Sequence, residues 1–294
     1  MNRIIMKDYK EKLFKGITYV SSLFVIVFLF GIIVSIFREG MPLFDVVSIR
    51  EFLLGTQWYP THEDAEFGTF TLILGSVYVT LGALVIAIPL GLGSAIFIAE
   101  VATPRIREIA KPIIELLAGI PSVVYGLFGM AFLAPLIREW FNLSTGLNIF
   151  SASIILGIMI VPIIASMSED AISTVPKNMR EASLALGATK WETIVRVVVP
   201  ASKSGIIGSI LLGFGRAIGE TMVLLMVSGG SAHIPKSIFD STRPLTSTIA
   251  AEMGETVIGD LHYRSLFALA IVLFIITFFT NMLSELVFLK RRAR

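Results

Sequence analysis

Hydrophobic positions in this chain run on without interruption, where an amphipathic pattern would place them on one face. Six apolar stretches stand out: Gly16 to Phe37, Phe67 to Ala99, Pro112 to Ile137, Ile149 to Ser168, Gly205 to Val227 and Leu266 to Leu289. At about 1.5 Å of rise per residue each is long enough to cross roughly 30 Å of hydrocarbon. In lipid every backbone polar group needs an internal partner, so these stretches are expected to be helices. The second is loosened by Pro89, Gly91 and Gly93, the third contains Pro121, and the fifth carries Arg216 and Glu220. The lysine-rich start before the first run has the look of a secretory leader. The run exceeds the roughly 7–15 residues of a leader's apolar region and lacks a small-x-small exit, so a retained helix is expected.

The polar positions between the runs divide into two alternating sets. One comprises the N-terminus, the Ala102–Lys111 loop, the Glu169–Lys203 loop and the Lys290–Arg294 tail, and it holds 17 of the 24 Lys and Arg residues. The other set holds Arg38, Arg50, Arg138, Lys236, Arg243 and Arg264, which leaves Arg216 inside a helix. Positive charge accumulates on the cytoplasmic side of membrane proteins, so both termini are expected there. The expected organisation is a leading segment, 1–66, with the first helix and an outer excursion; a permease-like core, 67–289, with a cytoplasmic loop at 169–203; and a basic tail, 290–294. The second long outer segment, Gly229–Arg264, contains Thr246-Ser247 ahead of Thr248–Met253, a pattern that predicts a short external helix with a hydroxyl cap.

Composition narrows the chemistry. Of 294 residues 55% are hydrophobic and 16% charged, well short of the charge of a soluble domain. The formal net charge of +2 gives no reason to expect nucleic acid as a partner. There are no cysteines, which excludes disulfides and thiolate sites, and His62, His233 and His262 have no ligand spacing. A phosphate-binding Gly-x4-Gly-Lys-Ser/Thr loop is missing, so no ATP site is expected in this chain.

The loop between the fourth and fifth runs is informative. Pro176 suits the start of a helix and Gly187 its end. Thr189 with Glu192 forms a capping box for a second helix, which Pro200 is expected to stop. Two short amphipathic helices joined by a glycine turn follow, and by composition alone they are a surface tie between two spans. The order of residues adds something further. Glu181-Ala182-Ser183, Gly187 and Val197-Val198-Val199-Pro200 resemble the EAA loop of ABC importer permeases, with Ser183 in place of the second Ala. The resemblance implies that Arg180, Glu181, Ala182, Ser183, Gly187 and Pro200 couple the chain to an ATPase subunit. In that family the short helix docks in a groove of the ATPase and passes its closure to the pore.

Arg216 is costly inside a bilayer, at about 2.5–3.5 kcal/mol on insertion scales, and needs a partner or a wet path. Two readings stand: an ion pair with Glu220 one turn on, or a guanidinium presented to an oxyanion with Glu220 holding it and trimming its charge. The Arg-then-Glu order is the poorer orientation for a helical pair. Gly215-x3-Gly219 suits close approach of a second helix. Pro121 frees a carbonyl near Leu117, and Ser122 and Tyr125 place hydroxyls on the next turn, either as a polar lining or as an ordinary packed kink. Glu115 is expected to pair with Lys111.

Gly215-Arg-Ala-Ile-Gly-Glu-Thr-Met222, Leu117-Ala-Gly-Ile-Pro-Ser-Val-Val-Tyr-Gly-Leu127 and Thr246-Ser-Thr-Ile-Ala-Ala-Glu252 resemble signatures of phosphate-specific ABC transport permeases. The Leu-Gly-Thr-x-Trp at 54–58 favours the PstC type over the PstA type. The resemblance implies an all-α membrane protein of six transmembrane helices with the type I ABC importer permease fold, in the plasma or inner membrane of a prokaryote. It implies phosphate as cargo and Arg216, Glu220, Thr221, Ser122 and Tyr125 as candidates for the path. A PstA-like permease, a PstB-like ATPase dimer carrying ATP and Mg, and a PstS-like binding protein are the implied partners. Sulfate or molybdate as cargo, similar to the sulfate permeases, and a gradient-driven transporter are the alternatives.

Overall fold

The computed structural model describes residues 2–292, with side chains described over residues 14–283. The side chains of the 290–294 tail and of Arg3, Lys7, Lys10 and Lys12, on which part of the charge asymmetry rests, lie outside those residues. The long helix α1 (Asn2–Gly40) leads the chain. Its consecutive Phe24, Val25, Ile26 and Val27 are all exposed, so this stretch of α1 has no face covered by the rest of the chain. Such a surface belongs in lipid or against another subunit.

A small folded segment follows, made of a 3₁₀ turn at Met41–Asp45, α2 (Ile49–Leu54) and an antiparallel pair, β1 (Trp58–Tyr59) with β2 (Glu66–Phe67). Leu43, Phe52, Trp58 and Phe67 are buried there against Leu72, Leu245 and Leu266. The chain then enters α3 (Phe70–Ile96), which ends in a π turn at Phe97–Val101, and α4 (Pro104–Ala118). Next come α5 (Ser122–Phe128), a π turn at Gly129–Leu133, α6 (Ala134–Trp140) and α7 (Ile149–Ser173). A helical hairpin follows: α8 (Lys177–Ala185), α9 (Lys190–Thr193), a π turn at Ile194–Val198 and α10 (Val199–Ala201). The chain closes with α11 (Lys203–Ile218), α12 (Met222–Val227), α13 (Leu245–Glu252) and α14 (Leu261–Arg292).

Among the described residues five helical stretches are long and apolar enough to cross a membrane: Phe14–Asp45, Phe70–Val101, Ser122–Trp140, Ile149–Ser173 and Leu261–Leu283. A sixth is counted if Lys190–Ala201 and Lys203–Ile218, which meet at 69°, are taken together. The centre of the molecule is the pair α3 and α7, which share the most extensive helix contact. Ala83, Ala87, Ile155, Leu156, Ile160 and Ile164 are buried there with Ala217 and Leu224. Lipid is as apolar as these side chains, so close packing holds the pair where exclusion from water would not. Gly91 permits that approach: a Cβ on it would lie 2.9 Å from the Ile164 side chain.

Several expected elements differ. The third run is not one helix, because the chain leaves helical geometry between Ala118 and Ser122. Pro121 lacks an N–H and pushes Ile120 out of the helical region, so α4 stands apart and the span starts at Ser122. The fifth run is also broken, with α11 ending at Ile218 and α12 starting at Met222. The short helix expected at Thr248–Met253 starts at Leu245, behind Pro244. Its first four residues are buried, and the Ser247 and Thr248 hydroxyls donate back to the Pro244 carbonyl where a cap would accept an N–H. Finally, Pro200 does not stop the hairpin's second arm. It lies in α10, which follows directly on the π turn at Ile194–Val198 and runs on to Ala201, and the chain turns at Ser202.

Candidate translocation and coupling sites

The break between α11 and α12 is built from Arg216, Gly219, Glu220 and Thr221. Arg216 lies in the last turn of α11, whose unpaired carbonyls favour a cation. Glu220 stands just ahead of α12, and its Oε1 accepts from the N–H groups of Met222 at 3.1 Å and Val223 at 3.5 Å. The carboxylate thus satisfies donors that the start of a helix leaves open. Arg216 and Glu220 remain 3.9 Å apart, with 56% of the arginine side chain exposed and 4% of the glutamate. The glutamate is therefore first a helix-starting group, and the guanidinium is left facing outward. Thr221 is half-buried beside it, its hydroxyl 3.5 Å from the Gly219 carbonyl.

Helix α5 comes up against α12. A Cβ on Gly126 would lie 2.7 Å from Met226 Sδ and 3.4 Å from the Met222 carbonyl. The break at Pro121 is thereby packed beside the helix that opens at Glu220. Ahead of the proline the Leu117 carbonyl accepts the Ile120 N–H at 3.3 Å and the Tyr125 hydroxyl at 3.0 Å. Tyr125 thus closes its own helix break, and the half-buried Ser122 begins α5.

The hairpin lies at the other end of α3. Pro176 precedes α8, and the helix closes with the Gly187 N–H on the Leu184 carbonyl and the Ala188 N–H on the Ser183 carbonyl. This double bond pattern requires a left-handed residue at its corner, and Gly187 has φ +86°. The Thr189–Glu192 capping box forms as the spacing predicts. Ser183 does not face outward: its hydroxyl lies 2.9 Å from that of Thr193 and pins the two arms together. Glu181, Ala182 and Pro200 are exposed, as are Leu186 at 90% and Trp191 at 65%.

Two ionic braces lie near the hairpin, one tying it to the end of α3 and the other tying α4 to α7, and their acidic members were not evident from the sequence. Arg180 turns inward: its guanidinium donates to Glu100 Oε1 at 2.7 Å, to the Ile172 carbonyl at 3.0 Å and to the Val175 carbonyl. Lys111 Nζ donates to Glu169 and Asp170, each at 2.7 Å, in place of the expected pairing with Glu115. Those two carboxylates hold the lysine's pKa well above its ordinary value. A signal was present in retrospect, since Glu100 and Glu169 are acidic residues at the ends of apolar runs. Their partners lie 80 and 58 positions away.

The structure thus gathers Arg216, Glu220, Thr221 and the helix of Ser122 and Tyr125 in one region, and Arg180 to Pro200 in another. Helix α11 joins them. The family described as "Binding-protein-dependent transport system inner membrane component" matches residues 87–293. A probable ABC transporter permease protein, YqgH of Bacillus subtilis, is 40% identical over 82% of this chain and 78% of its own length. The phosphate transport system permease protein PstC of Mesorhizobium japonicum is 35% identical over 97% of this chain and 91% of its own. Among solved structures, a chain of a bacterial alginate ABC transporter superposes with a TM-score of 0.63 at 15% identity, covering 95% of this chain and 96% of that one. A chain of an amino acid ABC transporter superposes at 0.52 and 18% identity, covering 73% and 90%.

Proposed function

Because the chain belongs to the family of binding-protein-dependent transport system inner membrane components, we propose that it forms half of the membrane path of an ATP-driven importer of inorganic phosphate. A homologous permease supplies the other half, a pair of ATPase chains holds the ATP and Mg, and an extracytoplasmic binding protein delivers the anion. The observation that carries this reading is the half-exposed Arg216 guanidinium at a helix break. A guanidinium fork matches two oxygens of a phosphate. Glu220, 3.9 Å away, limits the net positive charge, so the anion is met and released without being trapped. Relatives named as phosphate transport permeases along nearly the whole length favour phosphate over other oxyanions.

The hairpin supplies the drive. Placed on the cytoplasmic side, it offers Leu186 and Trp191 as apolar anchors to the ATPase. Arg180 braces it to the end of α3, Ser183 stiffens it, and its second arm runs directly into α11. Closure of the ATPase pair moves the hairpin, and α11 carries that motion to Arg216. The test is uptake by proteoliposomes holding the complete complex. ATP-dependent accumulation of labelled phosphate that excess sulfate and molybdate do not reduce is the expected result. Accumulation of sulfate or molybdate in its place would overturn the assignment of cargo.

A further inference from the structure

The segment Thr246 to Glu252 is α13 apart from its first residue, Leu245, and neither the anion path nor the coupling hairpin proposed above assigns it a role. Both ends of this short helix are tied. Near its start, the buried Thr246 hydroxyl donates to the Glu220 carbonyl at 2.6 Å. At its end, the Glu252 carboxylate is approached by three separate parts of the chain. Trp58 Nε1 donates to both oxygens at 3.2 and 3.0 Å, Arg243 Nη1 donates at 2.7 Å, and His262 Nε2 lies at 2.9 Å. Trp58 belongs to the folded segment between α1 and α3, and His262 to the first turn of α14. This carboxylate forms part of the wall of a cavity of about 480 Å³ that Tyr59, Thr61 and His233 also line.

We propose that α13 is a strut that fixes the position of the Glu220 break, and that Thr246 and Glu252 are positioning residues for anion passage past Arg216. The inference rests on the phosphate-path reading above. Glu220 is held twice, by its carboxylate on the N–H groups of α12 and by its carbonyl under Thr246. Its main chain therefore follows α13, and α13 follows whatever moves the Trp58 segment. A carboxylate with this many donors is costly to strip of them, which makes the outer end of the strut stiff.

The reconstituted complex tests this. Wild-type phosphate uptake is measured first, and its absence would refute the cargo reading and not the strut. Thr246→Val removes the bond to Glu220 at constant size, and the maximal uptake rate of the assembled complex should fall about tenfold. Thr246→Ser should restore it. Glu252→Gln should also lower the rate, and the double variant Thr246→Val with Glu252→Gln should lose no more than the worse single one, because both cut one strut. Should Thr246→Val fail to assemble, Trp58→Phe, which removes one donor to Glu252, must lower the maximal rate instead. Wild-type rates in the assembled variants, or losses that multiply in the double, would overturn the proposal.

Discussion

At the scale of single residues, the same glutamate and arginine that suggest an ion pair in the sequence have divided tasks in the structure. Glu220 spends its carboxylate on the N–H groups of Met222 and Val223, and Arg216 sits at the carbonyl end of α11. Each charge is stabilised by a helix terminus, and the guanidinium stays open. Arg216→Ala is therefore expected to abolish phosphate uptake while the complex still assembles and hydrolyses ATP; uptake at the normal rate would remove the anion-contact role. Arg216→Lys keeps the charge but loses the fork, so it should transport only slowly. Gly187 is a different case. Its φ of +86° disfavours any other residue, by about 1–2 kcal/mol for a non-glycine side chain. Gly187→Val should bend the α8–α9 turn and leave ATP hydrolysis running without uptake, measured as phosphate imported per ATP. An unchanged ratio would mean that the turn does not transmit force.

At the scale of elements, the runs of apolar residues and the caps of the hairpin were legible, because local chemistry decides both. The Thr189–Glu192 box and the glycine turn at 187 form where their spacing puts them. The breaks at Pro121 and Gly219 were not legible as breaks, because an apolar run continues on both sides of each. A proline within a run reads as a kink, and only the fold, with α4 packed against α7 and α5 against α12, shows it to be a boundary. The braces were hidden for another reason. Arg180 with Glu100 and Lys111 with Glu169 pair across long stretches of chain, so no local pattern names the partner. Removing one member of the largely buried Arg180–Glu100 pair costs about 3–5 kcal/mol, and the loss falls on the link between hairpin and α3. Arg180→Glu should hydrolyse ATP with little uptake, and Arg180→Glu with Glu100→Arg should recover much of it. Failure of the double swap to recover any uptake would limit Arg180 to contacts with the carbonyls of Ile172 and Val175.

At the scale of the whole molecule, α11 is the connecting part. It starts where the hairpin turns by 69° and ends at Ile218, with Arg216 in its last turn, a span of about 24 Å for its 16 residues. In the proposed mechanism, motion of the hairpin at one end carries the guanidinium at the other, while α13 holds the break from the far side. The chain contains no cysteine, which offers a direct probe. A cysteine placed as Thr221→Cys, beside the break, can be followed in the assembled complex with a membrane-impermeant thiol reagent and read on this chain alone. The account predicts labelling from the cytoplasmic side without nucleotide and from the opposite side when ATP is trapped. Labelling from one side only, the same in both states, would contradict it.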